Sequence, residues 1–158
     1  MHKIVLEAAM GFLLATGWGQ SPKSTSAEIA ITAENPTIVA GDPVCVSMQF
    51  ENTSDHPFDT TIGVFAGVDL RYRFHITAEN GAVLEPAAST KPHLGSIRVQ
   101  TIQPGEKEDY SHCLNHRYPG LTAVGIYKIY VTRIAEETTV KSNEIAITVV
   151  PGRQDAPQ

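Results

Sequence analysis

Hydrophobic and polar residues alternate through most of the chain, at the two-residue period of a half-buried β-strand. The clearest case is residues 44–51, in which Val44, Val46, Met48 and Phe50 share one face. Similar alternation predicts strands over 28–32, 37–39, 70–76, 97–102, 108–114, 126–134 and 143–150. Pro36 interrupts the first strand, which suits a sheet edge because proline has no backbone N–H to donate.

Turn residues separate these segments and define the fold class. Glu79-Asn80-Gly81 predicts a tight hairpin with Val83-Leu84 beginning the return strand, and Pro104-Gly105 predicts another turn. No segment of ten or more residues has the apolar spacing of an amphipathic helix. Seven or eight short strands of this kind predict an all-β fold, an antiparallel immunoglobulin-like β-sandwich over residues 28–150.

One apolar segment, residues 62–68, has two interpretations. Its glycines allow either a core strand with a bulge or an exposed loop that contacts a partner. We favour the core strand, with Phe65 and Val68 packed inside.

Charge and composition reduce the number of partner classes to consider. The 158 residues carry a formal net charge of −5, and 42% of them are hydrophobic. Duplex nucleic acid and anionic membranes require a basic surface, so neither is expected as a partner. The partner class that remains is an unknown protein or glycan, and the oligomeric state is left open.

The first nineteen residues resemble an export signal, because a basic start is followed by a short apolar run. That run is too short for a stable membrane span. Residues 1–19 are therefore predicted to be a signal peptide, 20–27 a polar lead-in and 151–158 a polar tail, and the protein is predicted to be secreted or periplasmic. The alternative is a frayed N-terminal helix of a cytoplasmic protein, which Glu7 within the apolar run would suit.

A set of landmarks resembles the secreted bacterial immunoglobulin-like or fibronectin type III-like β-sandwich domains. The landmarks are the strand and turn 44–54, the turn 102–106, Leu114, Tyr118, the strand 125–133 with Gly125 and Tyr127, and residues 140–145 with Ser142 and Asn143. The resemblance covers residues 28–150. It implies a binding or spacer module outside the cytoplasm, with no catalytic residues and no cofactor.

Several landmark residues also have a structural interpretation. Tyr118 is placed to pack over one end of the sandwich and give its hydroxyl to a backbone group, as in a tyrosine corner. Gly125 and Tyr127 open the penultimate strand, where the backbone turns sharply. Ser142 and Asn143 can satisfy backbone groups where the chain enters its last strand.

The two cysteines, Cys45 and Cys113, occupy positions of outward parity on the second strand and on strand 108–114. In an immunoglobulin-like order these strands are antiparallel neighbours, so both sulfurs would lie on one outer face. An exported protein favours a disulfide between them. Two unpaired thiols are the alternative, especially if the export signal is wrong.

Other candidate chemistry is weaker. His112 and His116 are too far apart on a strand to ligate one zinc ion, so surface histidines are expected. Asp55, Asp59 and Asp69 match no calcium-loop pattern. No nucleophile motif is present, and no enzyme activity is predicted.

A cationic stripe is predicted where Arg71, Arg73 and His75 alternate with apolar residues, with Arg98 alongside. A solvated sheet face that discourages edge pairing is the simpler interpretation. An anion-binding or acidic-partner patch is the alternative.

Four functions remain open, one of which, a small hydrolase, has no motif to support it. The leading hypothesis is a non-catalytic extracytoplasmic binding module that makes contact through its loops. The second is a structural subunit of an envelope assembly. The third is a proteinase inhibitor, because Asn35-Pro36-Thr37 is similar to one loop of chagasin-type cysteine-protease inhibitors, although the Thr-Gly continuation is absent.

Overall fold

The structure is a computed structural model, and it describes residues 26–65, 68–69, 71–87 and 97–152. Strands account for most of these residues, which confirms the all-β prediction. Their bounds are β1 Ala27–Ala33, β2 Thr37–Val39, β3 Cys45–Asn52, β4 Phe58–Phe65, β5 Val68–Asp69, β6 Arg73–Ala78, β7 Ile97–Ile102, β8 Lys107–Cys113, β9 Gly125–Ala135, β10 Thr138–Lys141 and β11 Ile145–Val150. A short 3₁₀ helix, Pro119–Thr122, precedes β9.

The strands are more numerous than the seven or eight expected. The sequence pattern did not indicate β10, whose only buried side chain is Val140, or the full length of β4. The return strand predicted at Val83-Leu84 is wrong, because only an isolated bridge joins Val83 to Thr77. Pro86 explains the interruption, since it cannot donate the next ladder hydrogen bond.

Three sheets follow from the pairing. The first has the order β1-β3-β8, and the third has the order β5-β4-β7. In the second, β9 pairs with β6 on one side and with β10 and β11 on the other, and β2 lies beyond β11. The core lies between the first and second sheets and is extended by Phe58 and Ile102 of the third sheet, which begins after the turn that follows β3.

The chain crosses from the first sheet to the second between β1 and β2. β1 pairs antiparallel with β3, whereas β2 pairs parallel with β11 through Thr37↔Thr148 to Val39↔Val150. The crossing occurs at Glu34 to Pro36, where the predicted interruption of the first strand falls. The fold is therefore a mixed sandwich rather than a purely antiparallel one.

The core consists of the inward residues of these strands. Val46, Met48 and Phe50 of β3 are buried while Cys45 and Ser47 are half-buried, which confirms the alternation predicted for this segment. Ile129 and Val131 of β9 and Ile147 of β11 are fully buried opposite them. Apolar side chains of the two sheets are thus buried against each other, and apolar burial of this kind is the main stabilising term.

A few expectations fall outside the described part of the chain. They are the signal peptide 1–19, the lead-in up to residue 25, residues 153–158 of the tail, Leu70, and the side chains of Phe65 and Val68. The backbone of 62–65 is part of β4, and Val68 begins β5.

Candidate functional site: a groove beside the free edge of β6

Two charged residues face the interior of the sandwich. Arg133 of β9 is 2% exposed and Glu108 of β8 is 9% exposed. An Arg133 terminal nitrogen lies 3.0 Å from a Glu108 carboxylate oxygen and donates to the Tyr72 hydroxyl at 2.9 Å. The other terminal nitrogen donates to the Thr60 hydroxyl at 2.8 Å. These contacts pair both terminal nitrogens of Arg133, although its buried Nε has no partner among the described residues, and the cluster ties β4, β8 and β9 together.

Arg71 does not lie on a solvated stripe, and that part of the prediction is wrong. It precedes β6, its side chain is 6% exposed, and its guanidinium lies 3.7 Å from Glu108. It also stacks over the Tyr110 ring at 4.3 Å. Arg98 is exposed on β7, in a different sheet from β6, and so does not extend the stripe. Of the predicted stripe, only Arg73 and His75 remain together on the outer face of β6.

Aromatic rings close the side of the sandwich where β6 and β8 meet. The Tyr72 and Tyr110 rings are 5.5 Å apart, and the His112 ring stacks on Phe74 at 5.7 Å. The Tyr118 ring lies 6.5 Å from Phe74. We call these five residues the aromatic seam. It joins one edge of the first sheet to one edge of the second.

A groove of about 310 Å³ lies against this seam. Its walls are residues 72–76 at β6, residues 83–86, and the side chains of His112, Arg117 and Tyr118. The segment 83–86 starts beside β6 and then leaves it, because the Ala87 N–H donates to the Arg117 carbonyl at 2.7 Å. The groove is the space between β6 and the segment 83–86, where the two diverge.

Charge in the groove is opposite in sign to that of the whole chain. Arg73 and Arg117 line it together with one carboxylate, Glu85. Burial raises the pKa of the Tyr118 phenol, and the two arginines partly oppose that rise. Burial also lowers the pKa of His75, as does the nearby Arg73, so His75 stays neutral near pH 7. On a chain of net charge −5, the groove is therefore a local concentration of positive charge.

The groove also exposes apolar surface. Val83 is 64% exposed, and Leu84 and Pro86 are half-buried beside it. Concave surfaces with apolar walls and a few convergent polar groups are the usual form of ligand sites. The sequence pattern gave no direct sign of this groove, because its walls come from four separate segments.

The predicted disulfide is confirmed. Cys45 and Cys113 are directly opposite in the β3–β8 ladder and are bonded to each other, with Cα atoms 4.0 Å apart. Cys113 is exposed and Cys45 is half-buried, as their outward parity predicts. The bond therefore staples the first sheet on its outer face and does not cross the core.

The predicted landmark tyrosines anchor the loop before β9. The Tyr118 hydroxyl donates to the Phe74 carbonyl at 3.2 Å. The Tyr127 hydroxyl lies 3.1 Å from the Gly120 carbonyl and 2.9 Å from that of Ala123. Both rings are buried, and Gly125 begins β9 next to them. One wall of the groove is thereby fixed to the core.

Ser142 and Asn143 lie at the break between β10 and β11. The Ser142 hydroxyl accepts the Val131 N–H at 2.9 Å and so continues the β9 ladder across the break. Asn143 points to the other sheet, where its amide oxygen accepts the Ile31 N–H at 2.8 Å. Its amide nitrogen donates to the Ile31 carbonyl at 2.9 Å.

The loops at one end of the sandwich meet through His56. Its ring nitrogens lie 2.9 Å from Asp55 and 2.7 Å from Glu136. These hydrogen bonds, that to Asp55 first, raise the pKa of His56, and its hydrogen bond lowers the pKa of each carboxyl. Glu136 and Glu137 form the β9–β10 turn with φ of 45° and 63°, a left-handed conformation that favours glycine or asparagine.

The weaker candidates are placed as follows. Asp55 lies in a turn while Asp59 and Asp69 lie on β4 and β5. Among the described residues, no three His, Cys, Asp or Glu side chains are placed so that they could hold one metal ion. His116 is exposed beyond β8, whereas His112 belongs to the aromatic seam.

The inhibitor-like segment lies at the crossing between β1 and β2. Asn35, Pro36 and Thr37 are exposed there. The Pro36 carbonyl accepts the Thr148 N–H at 2.8 Å. Inhibition of a proteinase through this segment remains a prediction.

Comparison with known proteins assigns no family. No protein-family model matches the chain, and no curated protein matches it. Among solved structures, it is similar to the CARDB domain of the PF1109 protein from Pyrococcus furiosus, described as in complex with di-metal ions. The TM-score is 0.42 at 12% identity, over 80% of this chain and 94% of that one.

It is also similar to the sporulation control protein Spo0M of Bacillus subtilis, with a TM-score of 0.47 at 12% identity over 78% of this chain and 49% of that one. A Paenibacillus sp. cycloisomaltooligosaccharide glucanotransferase matches with a TM-score of 0.42 at 18% identity. A β-glucosidase of Erythrobacter marinus matches with 0.45 at 20%. The matches cover 76% and 79% of this chain but span only 13% and 15% of the two enzymes.

Proposed function

We propose that this protein is a non-catalytic extracytoplasmic binding module and that the groove beside β6 is its ligand site. The observation that carries the proposal is the convergence of Arg73, Arg117 and the exposed Val83 on one concavity of about 310 Å³. The wall formed by Tyr118 is held against β6, because the Tyr118 hydroxyl donates to the Phe74 carbonyl. A preformed site of this kind loses little entropy on binding.

Binding rather than catalysis fits the polar groups present. The described walls of the groove hold arginine, histidine, glutamate and tyrosine, and they contain no serine or cysteine that could act as a nucleophile. In the interior, Glu108 and Arg133 contact each other, and Arg133 also donates to Tyr72 and Thr60. We therefore assign this pair a structural role.

An extracytoplasmic location is supported by the disulfide. Bonds such as Cys45–Cys113 persist in oxidising compartments and are rare in the cytosol. Within the described residues, no helix is long and apolar enough to span a membrane. The export signal at residues 1–19 remains a prediction from the sequence.

The proposal is tested by ligand-induced thermal stabilisation with a fixed panel: acidic, neutral and basic oligosaccharides and short peptides. The groove variant is Arg73→Ala/Arg117→Ala, and the control is Arg98→Ala, which removes an exposed arginine from another sheet. We expect at least one panel member to raise the Tm of the wild type and of R98A but not of the groove variant.

Stabilisation that survives in the groove variant would place the ligand elsewhere and contradict the proposal. So would chemical conversion of a panel member by the wild-type protein, detected by mass spectrometry. Folding of the groove variant is checked by its far-ultraviolet spectrum, since Arg117 also donates to the Ala87 carbonyl at 3.3 Å.

A further inference from the structure

The backbone of β6 faces the groove at Phe74 and Ile76. The Ile76 carbonyl accepts the Leu84 N–H at 2.9 Å, and the Phe74 carbonyl accepts the Tyr118 hydroxyl at 3.2 Å. Both acceptors are thus turned away from β9. In a strand the N–H and C=O of one residue point to the same side, so the Phe74 N–H also faces the groove.

The neighbouring segment does not pair with this part of the edge. Residues 82–84 extend the ladder beside β6 only as far as Ile76, through the bridge Thr77↔Val83. The residue that would next face Phe74 is Pro86, which has no N–H. Ala87 then turns to Arg117. An edge donor at Phe74 is therefore left facing a cavity instead of a strand.

Positive charge lies beside this edge. Arg73, on the same strand, and Arg117, across the groove, both border the space in front of Phe74. A backbone N–H together with guanidinium groups is a combination that binds a carboxylate. Glu85 on the rim leaves the net charge of these three side chains at about +1, which matches one carboxylate.

The size and the walls of the groove select the kind of carboxylate. A volume of about 310 Å³ is near the lower limit of ligand cavities, so the groove admits one or two residues rather than a long strand. The exposed Val83 and the half-buried Leu84 and Pro86 offer an aliphatic wall for one side chain.

We propose that the groove binds the C-terminal carboxylate of an extended peptide, which adds to the β6 edge at Phe74. The carboxylate lies between Arg73 and Arg117, and a main-chain carbonyl or carboxylate oxygen of the peptide accepts the Phe74 N–H. The last side chain of the peptide packs on Val83 and Leu84. This inference rests on the proposed function, because it names the ligand class of the same groove.

The test is titration of the ¹⁵N-labelled protein with N-acetyl-Ala-Val-Val carrying a free C-terminus. The same peptide as its C-terminal amide and galacturonic acid are titrated in parallel. We expect a saturable shift of the Phe74 amide signal with the free acid and binding of the amide at least about tenfold weaker, since one charged contact accounts for such a factor. R73A is expected to weaken binding of the free-acid peptide by a similar factor. R98A is expected to leave that binding unchanged.

Equal binding of the acid and the amide would overturn the inference, as would the absence of a saturable Phe74 shift at millimolar peptide. Binding of galacturonic acid in place of the peptide, still dependent on Arg73, would overturn the peptide assignment and leave the groove as a ligand site. If stabilisation by no member of the oligosaccharide and peptide panel depends on Arg73 and Arg117, the proposed function fails as well.

Discussion

The side-chain amide of Asn143 pairs with both backbone groups of Ile31, as a peptide group of a neighbouring strand would. Its oxygen accepts the Ile31 N–H at 2.8 Å, and its nitrogen donates to the Ile31 carbonyl at 2.9 Å. Ile31 lies on β1, the edge of the first sheet, and Asn143 lies between two strands of the second. One side chain thereby pairs two backbone groups of an edge strand and links the two sheets.

Replacement of Asn143 by Ala should lower the free energy of unfolding by about 2 kcal/mol, because two part-buried backbone groups lose their partners. Urea unfolding measures the loss, and amide hydrogen exchange locates it at the Ile31 N–H. Glu144→Ala, next to it and exposed, is the control and should change stability by less than about 0.5 kcal/mol. Unchanged exchange at Ile31 would contradict the role given to Asn143.

Replacement of Glu108 by Leu should cost about 3–5 kcal/mol, because Arg133 would keep its charge in the interior without its partner. The double variant Glu108→Leu/Arg133→Met should recover part of that loss, since the Arg133 charge is removed while the buried Arg71 keeps its own. A double-mutant cycle from denaturant unfolding gives the coupling. If E108L were as stable as the wild type, the ion pair at 3.0 Å would have no part in the fold.

The contact between His56 and Glu136 should depend on pH. The folded pKa of His56 lies above the ordinary 6.5, so its stabilising effect is complete below pH 6.5 and is lost as the pH rises through the raised value. The folded pKa of Glu136 lies below 4.5, so its effect is present above pH 4.5 and is lost as the pH falls through the lowered value. The contact is strongest between these limits.

Titration of the His56 ring by NMR checks this prediction. We expect its pKa to be above 6.5 in the wild type and lower in Glu136→Gln, which removes the charge but keeps the shape. Glu137→Gln is the matched control from the same turn and should leave the pKa of His56 nearly unchanged. An equal response to both substitutions would mean that the general charge of the loop, and not the 2.7 Å contact, sets the pKa.

Loss of the disulfide should lower stability by about 4 kcal/mol in the chain-entropy model, because the closed loop spans 68 residues. The double variant Cys45→Ala/Cys113→Ala is compared with the wild type in urea, with and without reductant. The variant should show no dependence on reductant. Two free thiols in the oxidised wild-type protein under denaturant would contradict the bond.

Parity along the strands predicted much of this fold. It placed Met48 and Phe50 in the core, and it put Cys45 and Cys113 on one outer face. This worked because each of these strands has one face on the core and one on solvent, so the two-residue period is also a burial pattern.

The same alternation of inward and outward positions also indicates the interior ion pair, which we did not predict from the sequence. Glu108 and Arg133 occupy inward positions of their strands, and their charges are opposite. Two complementary charges at inward positions of different strands indicate a buried pair. Arg71 could not be found in this way, because it precedes the regular part of β6 and alternation ends there.

The groove could not be predicted from sequence for a geometric reason. It depends on the point at which the segment 83–86 leaves β6, and Pro86 alone does not fix where that segment goes. The β9–β10 hairpin is a similar case. Glu136 and Glu137 are poor residues for a turn with two positive φ angles, so local preference indicated no turn there.

The aromatic seam gives this protein an intrinsic spectroscopic probe, its tyrosine fluorescence. All five tyrosines of the chain lie within the described strands and loops, and three of them, Tyr72, Tyr110 and Tyr118, belong to the seam. The single tryptophan is Trp18, inside the predicted signal peptide. In a chain cleaved after residue 19, ultraviolet-excited emission would come mainly from tyrosine, so an occupant of the groove could be followed without any label.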